Sequence, residues 1–223
     1  MKSELNKKSI ILLSGGLDSL VSLGLAKADF NIQLAITFDY GQRPAKQEIK
    51  ASKKICEYYK IEHKVIELPF LREITKTALV SGELPTDNFG TNESAKSVWV
   101  PNRNGLFLNI AASIADSDGY THIIFGANKQ EGATFPDNTQ EFVDGTNQSF
   151  KYSTLERVTV CAPLINYDKN AIVKKALEEG IPLELAYSCY GSTEKNCGVC
   201  ESCNHLKKAL IHNNADKYIE RLF

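Results

Sequence analysis

The sequence has no long apolar run, no excess of one charge, no internal repeat and no low-complexity tract. Each absence removes a class of function. The run Ile10 to Leu13 falls far short of the roughly 20 apolar residues a membrane helix needs. Met1 to Lys8 is polar, so no secretory leader and no membrane partner are expected, and the expected location is cytoplasmic. Lys and Arg number 26 against 27 Asp and Glu, for a formal net charge of −1. That balance lacks the basic surplus of polyanion binders, so no nucleic-acid partner is expected. What is present is ordinary for a globular chain: 223 residues, 43% of them hydrophobic. This suits one domain with a small appendage, expected at 1–183 and 184–223. Six cysteines in a leaderless chain favour a metal site over disulfides.

Short apolar runs alternate with amphipathic stretches. Strands are expected at Ser9 to Leu13, Ile32 to Phe38, His63 to Leu68, Thr121 to Phe125 and Arg157 to Cys161. Helices are expected from Asp18 to Ala28, from Pro44 through Tyr59, from Leu71 to Val80, from Asn104 to Ala115 and from Thr139 to Phe150. Asp168 should cap another, which stops at Gly180 and Pro182. Residues 81–98 read as a lid and 127–138 as a second long loop. The alternation implies an α/β fold: a doubly wound, mostly parallel sheet with helices on both faces. Ligands bind such sheets at the carboxyl ends of the strands.

Ser14-Gly15-Gly16-Leu17-Asp18-Ser19 lies between a buried strand and a helix. Two glycines admit an anion close to the backbone, and the helix start offers unpaired N–H groups and a positive dipole end. Ser14 and Ser19 add hydroxyls, while Asp18 could cap the helix, hold Mg²⁺ or order the loop. No Lys-Ser or Lys-Thr closes the motif and no third glycine follows, which excludes the Walker and dinucleotide patterns. SGGLDS resembles the PP-loop of the N-type ATP pyrophosphatases. The likeness implies cleavage of ATP to AMP and pyrophosphate with adenylation of a substrate.

Cys189, Cys197, Cys200 and Cys203 are spaced C-x7-C-x2-C-x2-C, with Gly191 and Gly198 nearby for tight turns. Four thiolates can close a tetrahedral shell around one structural zinc ion; an iron–sulfur cluster is the alternative. Cys56 and Cys161 fall on a helix stripe and a buried strand and read as core.

Three further stretches should reach the same sheet edge: Phe38 to Arg43, Val100 to Asn104 and Phe135 to Asn138. Arg43, Arg103 and Lys129 are candidate cations for adenylation. Together with the loop and the cysteines, these stretches resemble the 7-cyano-7-deazaguanine synthase family from about Ile10 to Leu210. The resemblance implies ATP bound by Leu13 to Leu23, a segment that includes Leu20, Val21 and Ser22, and zinc bound by the four cysteines. Asp18, Ser19 and Arg103 are then the candidate catalytic groups. Tyr40, Arg43, Asn104, Phe135 and Asp137 are the candidate substrate contacts, with Trp99 a further aromatic. Three departures stand out: Pro44 where the family often has His, Asn102 where it often has Gly, and an altered 126–138 loop with Glu131 in place of Asp.

The reaction so implied adenylates 7-carboxy-7-deazaguanine with ATP and Mg²⁺, adds ammonia to give an amide, and adenylates that amide to leave a nitrile. The resemblance also suggests a homodimer. Three other readings stay open: adenylation of a different carboxylate, thiolation of an RNA base, and a non-catalytic nucleotide-binding zinc module.

Overall fold

The computed structural model describes residues 7–81 and 97–223, so the 81–98 segment expected to act as a lid lies almost wholly outside the described residues. Among the described residues five strands form the sheet: β1 (Lys8–Leu12), β2 (Asn31–Asp39), β3 (Glu62–Glu67), β4 (His122–Ile124) and β5 (Thr159–Cys161). All pair in parallel in the order β3-β2-β1-β4-β5. The long helices are α1 (Leu17–Ala26), α2 (Ala45–Tyr59), α3 (Arg103–Asp118), α4 (Gln140–Ser153), α5 (Lys169–Glu178) and α6 (Glu201–His212).

The period-2 alternation of β1 divides the core in two. Ile11 packs with Leu20, Ile172 and Leu206, which belong to α1, α5 and α6. Ile10 and Leu12 face the other way, toward Leu108 of α3 and Val143 and Phe150 of α4. Both faces are covered, which is why β1 and most of β2 read as unbroken apolar runs. The cysteine-bearing tail shares the first core through Leu206, Leu210 and Leu222.

Local chemistry explains most boundaries. Pro44 occupies the N-cap of α2 at φ −80°, where its missing N–H costs nothing. Asp168 caps α5 as expected, its side chain accepting from Ala171 N–H. Thr139 does the same for α4 through Phe142 N–H. The helix expected from Leu71 to Val80 is a correction: only Phe70–Ile74 is helical, and Thr75 is extended. Ile74, Thr75 and Thr77 are β-branched and stiff at χ1, which disfavours continuing the turn. The 127–138 loop also holds more structure than expected: a helical turn at Lys129–Gly132 capped by Asn128, and a 3₁₀ turn at Pro136–Asn138.

Asn102 stands at φ +52°, in the left-handed region. Glycine enters that region freely and asparagine is among the few side chains that tolerate it. The backbone conformation at 102 is thus one that both glycine and asparagine can adopt.

Candidate functional site

β1 lies between β2 and β4, so the strand order reverses at its carboxyl end, where an open parallel sheet leaves a crevice. A cavity of about 300 Å³ opens there, lined at one end by the Ser14–Ser19 loop.

The loop is held from below. Leu13 N–H ends the ladder on Ile36 O at 2.9 Å. Leu13 O then accepts from two hydroxyls, Thr37 Oγ1 at 2.6 Å and Ser52 Oγ at 3.1 Å. Gly15 takes φ +79°, and a Cβ there would meet Glu48 O at 2.7 Å, so α2 presses directly on the turn. Gly126, after β4, passes so close that a Cβ would lie 3.3 Å from Ser19 N. Ser14 Oγ and Ser19 Oγ are 3.2 Å apart.

Of the residues expected to bind ATP, Leu13, Ser14, Gly16, Leu17, Asp18 and Ser19 line the cavity. Gly15 packs behind the loop, and Leu20, Val21, Ser22 and Leu23 are buried in α1. Asp18 does not cap its helix. It pairs with Lys169 Nζ through Oδ2 at 2.5 Å, and Lys169 also lies 3.5 Å from Glu131 Oε1. Burial pushes the Asp18 carboxyl above its ordinary range, against the pull of Lys169. Asp18 Oδ1 is buried without a hydrogen-bond partner, an acceptor suited to a cation such as Mg²⁺.

Lys129 is exposed and does not line the cavity, whereas Lys169 does and is nearly buried. Glu131 thus places a second carboxylate beside this lysine.

The other end of the cavity is aromatic and polar. Arg103 donates from Nη1 to Tyr40 Oη at 2.9 Å and lies over the Tyr40 and Phe107 rings. Trp99 and Phe135 are nearly parallel, with centroids 5.6 Å apart. Asn104 and Asp137 are buried on this wall, Asn104 Nδ2 donating to Asp137 O at 3.5 Å. Burial pushes the Asp137 carboxyl up, with Arg103 opposing. Arg43 is exposed and is not among the lining residues; its N–H donates to Leu79 O.

Three further lining groups are not among the candidate site residues named from the sequence. Gln42 accepts from Tyr40 N–H and donates to Phe38 O and Glu48 Oε2. Glu48, so held, is pushed up to about 7 by burial, opposed by the Gln42 hydrogen bond and Arg103. Ser188 arrives from the tail, its Oγ accepting from Leu17 N–H at 3.1 Å.

The four cysteine sulfurs lie within 4.8 Å of one another and could hold a metal ion. Gly191 and Cys197 N–H groups donate to Cys189 Sγ at 3.2 and 3.4 Å, and Cys200 N–H donates to Cys197 Sγ at 3.4 Å. Such donors favour thiolate. The Cys189 thiol is pulled down, chiefly by hydrogen bonds with Cys200 and Cys203. His205 contacts Gln130 and is outside this group.

Similarity to known proteins points the same way. The family model described as queuosine biosynthesis protein QueC matches residues 8–214. A 7-cyano-7-deazaguanine synthase of Methanosarcina barkeri is 47% identical over 230 residues, covering 96% of this chain and 99% of its own. One from Carboxydothermus hydrogenoformans is 50% identical over 210 residues, covering 91% and 98%. Among solved structures, the U34-tRNA thiolase NcsA of Methanococcus maripaludis, with its iron–sulfur cluster, aligns at a TM-score of 0.51 and 20% identity. It covers 98% of this chain and 71% of that one, a likeness of fold alone.

Proposed function

The chain belongs to the QueC family of queuosine biosynthesis proteins, and from that premise we propose that its cavity converts 7-carboxy-7-deazaguanine and ammonia to 7-cyano-7-deazaguanine with two ATP. One observation carries the reading. A single cavity is lined both by the phosphate loop and by the Trp99, Phe135, Arg103 and Asp137 wall, so a polyphosphate and a planar base can meet in it.

In the first half-reaction the substrate carboxylate attacks the α-phosphorus and pyrophosphate leaves. Ammonia then adds to the acyl carbon; AMP and a proton depart, leaving the amide. In the second, the amide oxygen attacks another ATP and pyrophosphate leaves. Loss of AMP and two N–H protons gives the nitrile. The amides at the start of α1, the Ser14 and Ser19 hydroxyls and Lys169 stabilise charge on the phosphates as it shifts. Mg²⁺ held at Asp18 with the phosphates would supply further neutralisation of the leaving group. Arg103 orients the carboxylate, and Asp137 with Asn104 reads the polar edge of the base. No covalent nucleophile is required, because positioning and electrostatics suffice.

The cysteines suit zinc. A Zn–S bond of about 2.3 Å makes a tetrahedron with edges of about 3.8 Å. Cys197 and Cys203 Sγ already stand 3.9 Å apart, and no pair exceeds 4.8 Å. A cubic iron–sulfur cluster would spread its four thiolates wider than a single ion does. The closed thiolate shell makes the site structural.

The test is incubation with ATP, Mg²⁺, ammonium and 7-carboxy-7-deazaguanine, followed by mass spectrometry. Nitrile with AMP is expected. Accumulation of amide alone, or no product with ATP bound, would overturn the assignment. Metal analysis should return one zinc and no iron per chain.

A further inference from the structure

Gly16 is the N-cap of α1 and has no side chain with which to cap it. The first amides of a helix need partners from outside it. At Leu17 that partner is Ser188 Oγ, 171 residues away in sequence. The residue beside it acts on the loop as well, because Tyr187 N–H donates to Gly15 O at 2.8 Å. Two successive tail residues therefore hold the turn on both sides of Gly16. The Asp18 and Ser19 amides, next in the helix, are left for the anion.

The hold on Ser188 leads to the cysteines. Ser188 N–H donates to Asn196 Oδ1 at 2.8 Å. Asn196 is buried, and its Nδ2 donates to Leu222 O at 3.0 Å. Ser188 is followed directly by Cys189, and Asn196 by Cys197. Fixing Cys189 and Cys197 on one ion therefore fixes the Ser188–Asn196 pair, and with it the hydroxyl that caps Leu17.

We propose that Ser188 is a positioning residue of the phosphate loop, through which the metal held by the four cysteines sets the loop's affinity for a nucleoside triphosphate. The inference rests on the reading of the loop as an ATP site and of the cysteines as a metal site. It makes the tail metal a determinant of nucleotide binding and gives the coupling a definite route. By linkage, the nucleotide must tighten metal binding by the same factor as the metal tightens nucleotide binding.

The test is binding, not turnover. The metal-loaded wild type, Ser188→Ala and Ser188→Thr are titrated with a non-hydrolysable ATP analogue and Mg²⁺. Loss of one hydrogen bond should weaken the analogue about fivefold in Ser188→Ala. Ser188→Thr should restore it, with metal content unchanged in both. In competition with a chromophoric chelator at equilibrium, the analogue should raise the metal affinity of the wild type and leave that of Ser188→Ala unchanged. Unaltered analogue affinity in Ser188→Ala would overturn the proposal. So would a loss that accompanies loss of metal, or equal protection of the metal in both proteins. A wild type that binds the analogue with the expected Ser188 dependence but forms no nitrile would overturn the proposed reaction and support this inference.

Discussion

Replacing Glu48 by glutamine removes a titrating carboxyl while keeping its shape and an acceptor for Gln42 Nε2. Burial pushes this carboxyl from 4.5 up to about 7. The folded protein thus binds the proton more tightly than the unfolded chain does. The resulting stability is fully present below the unfolded value and is lost as pH rises through the folded one. At about 1.4 kcal/mol per unit the whole shift is worth at most about 3.5 kcal/mol. The side chain keeps some access to the cavity, so about 1–2.5 kcal/mol is the working expectation. Urea unfolding of both proteins at about pH 5 and about pH 8 gives the difference directly, since other titrating groups cancel between them. The wild type should lose about 1–2.5 kcal/mol relative to Glu48→Gln over that interval. An unchanged difference at the two pH values would refute the claim that Glu48 is buried at the cost of its charge.

Lys169→Met should lower AMP formation about 100-fold in a rapid-quench assay, the scale for removing one preorganised donor. Circular dichroism should report an intact fold. Gly15→Ala forces a Cβ to within 2.7 Å of Glu48 O at φ +79°. It should cost about 1–3 kcal/mol in urea unfolding and weaken the nucleotide, since neither backbone can give way. Cys197→Ser removes one thiolate from the cluster and should abolish stoichiometric metal binding by elemental analysis, with a lowered thermal midpoint.

The centre of the sheet was legible because β1 and β2 are short apolar runs, and the phosphate loop because its glycines sit where a strand must become a helix. Asp168 was legible as a cap from its place alone. The residue after it was not. A lysine in the first turn of a helix opposes the dipole, where an acid is favoured, and that misfit was the available sign that Lys169 reaches an anionic site. Ser188 left no such sign, since its partner is 171 residues away. Glu48 reads on the sequence as one more polar position of an amphipathic helix. The packing of α2 against the Gly15 turn and the Gln42 hydrogen bond place it at the cavity. Arg43 is the opposite case: its neighbours Tyr40 and Gln42 are buried, while Arg43 is exposed after the turn at Gly41, φ +82°.

The position of β1 has a consequence during synthesis. Its outer neighbour on one side is β2, made at once, but on the other Ser9 pairs with His122. At about 5–20 residues per second, a ribosome leaves that edge open for roughly 6–23 s. For that interval the strand destined for the centre of the sheet presents a bare row of N–H and C=O groups, a template for any other extended chain. What shields β1 before β4 emerges therefore bears on the yield of native protein.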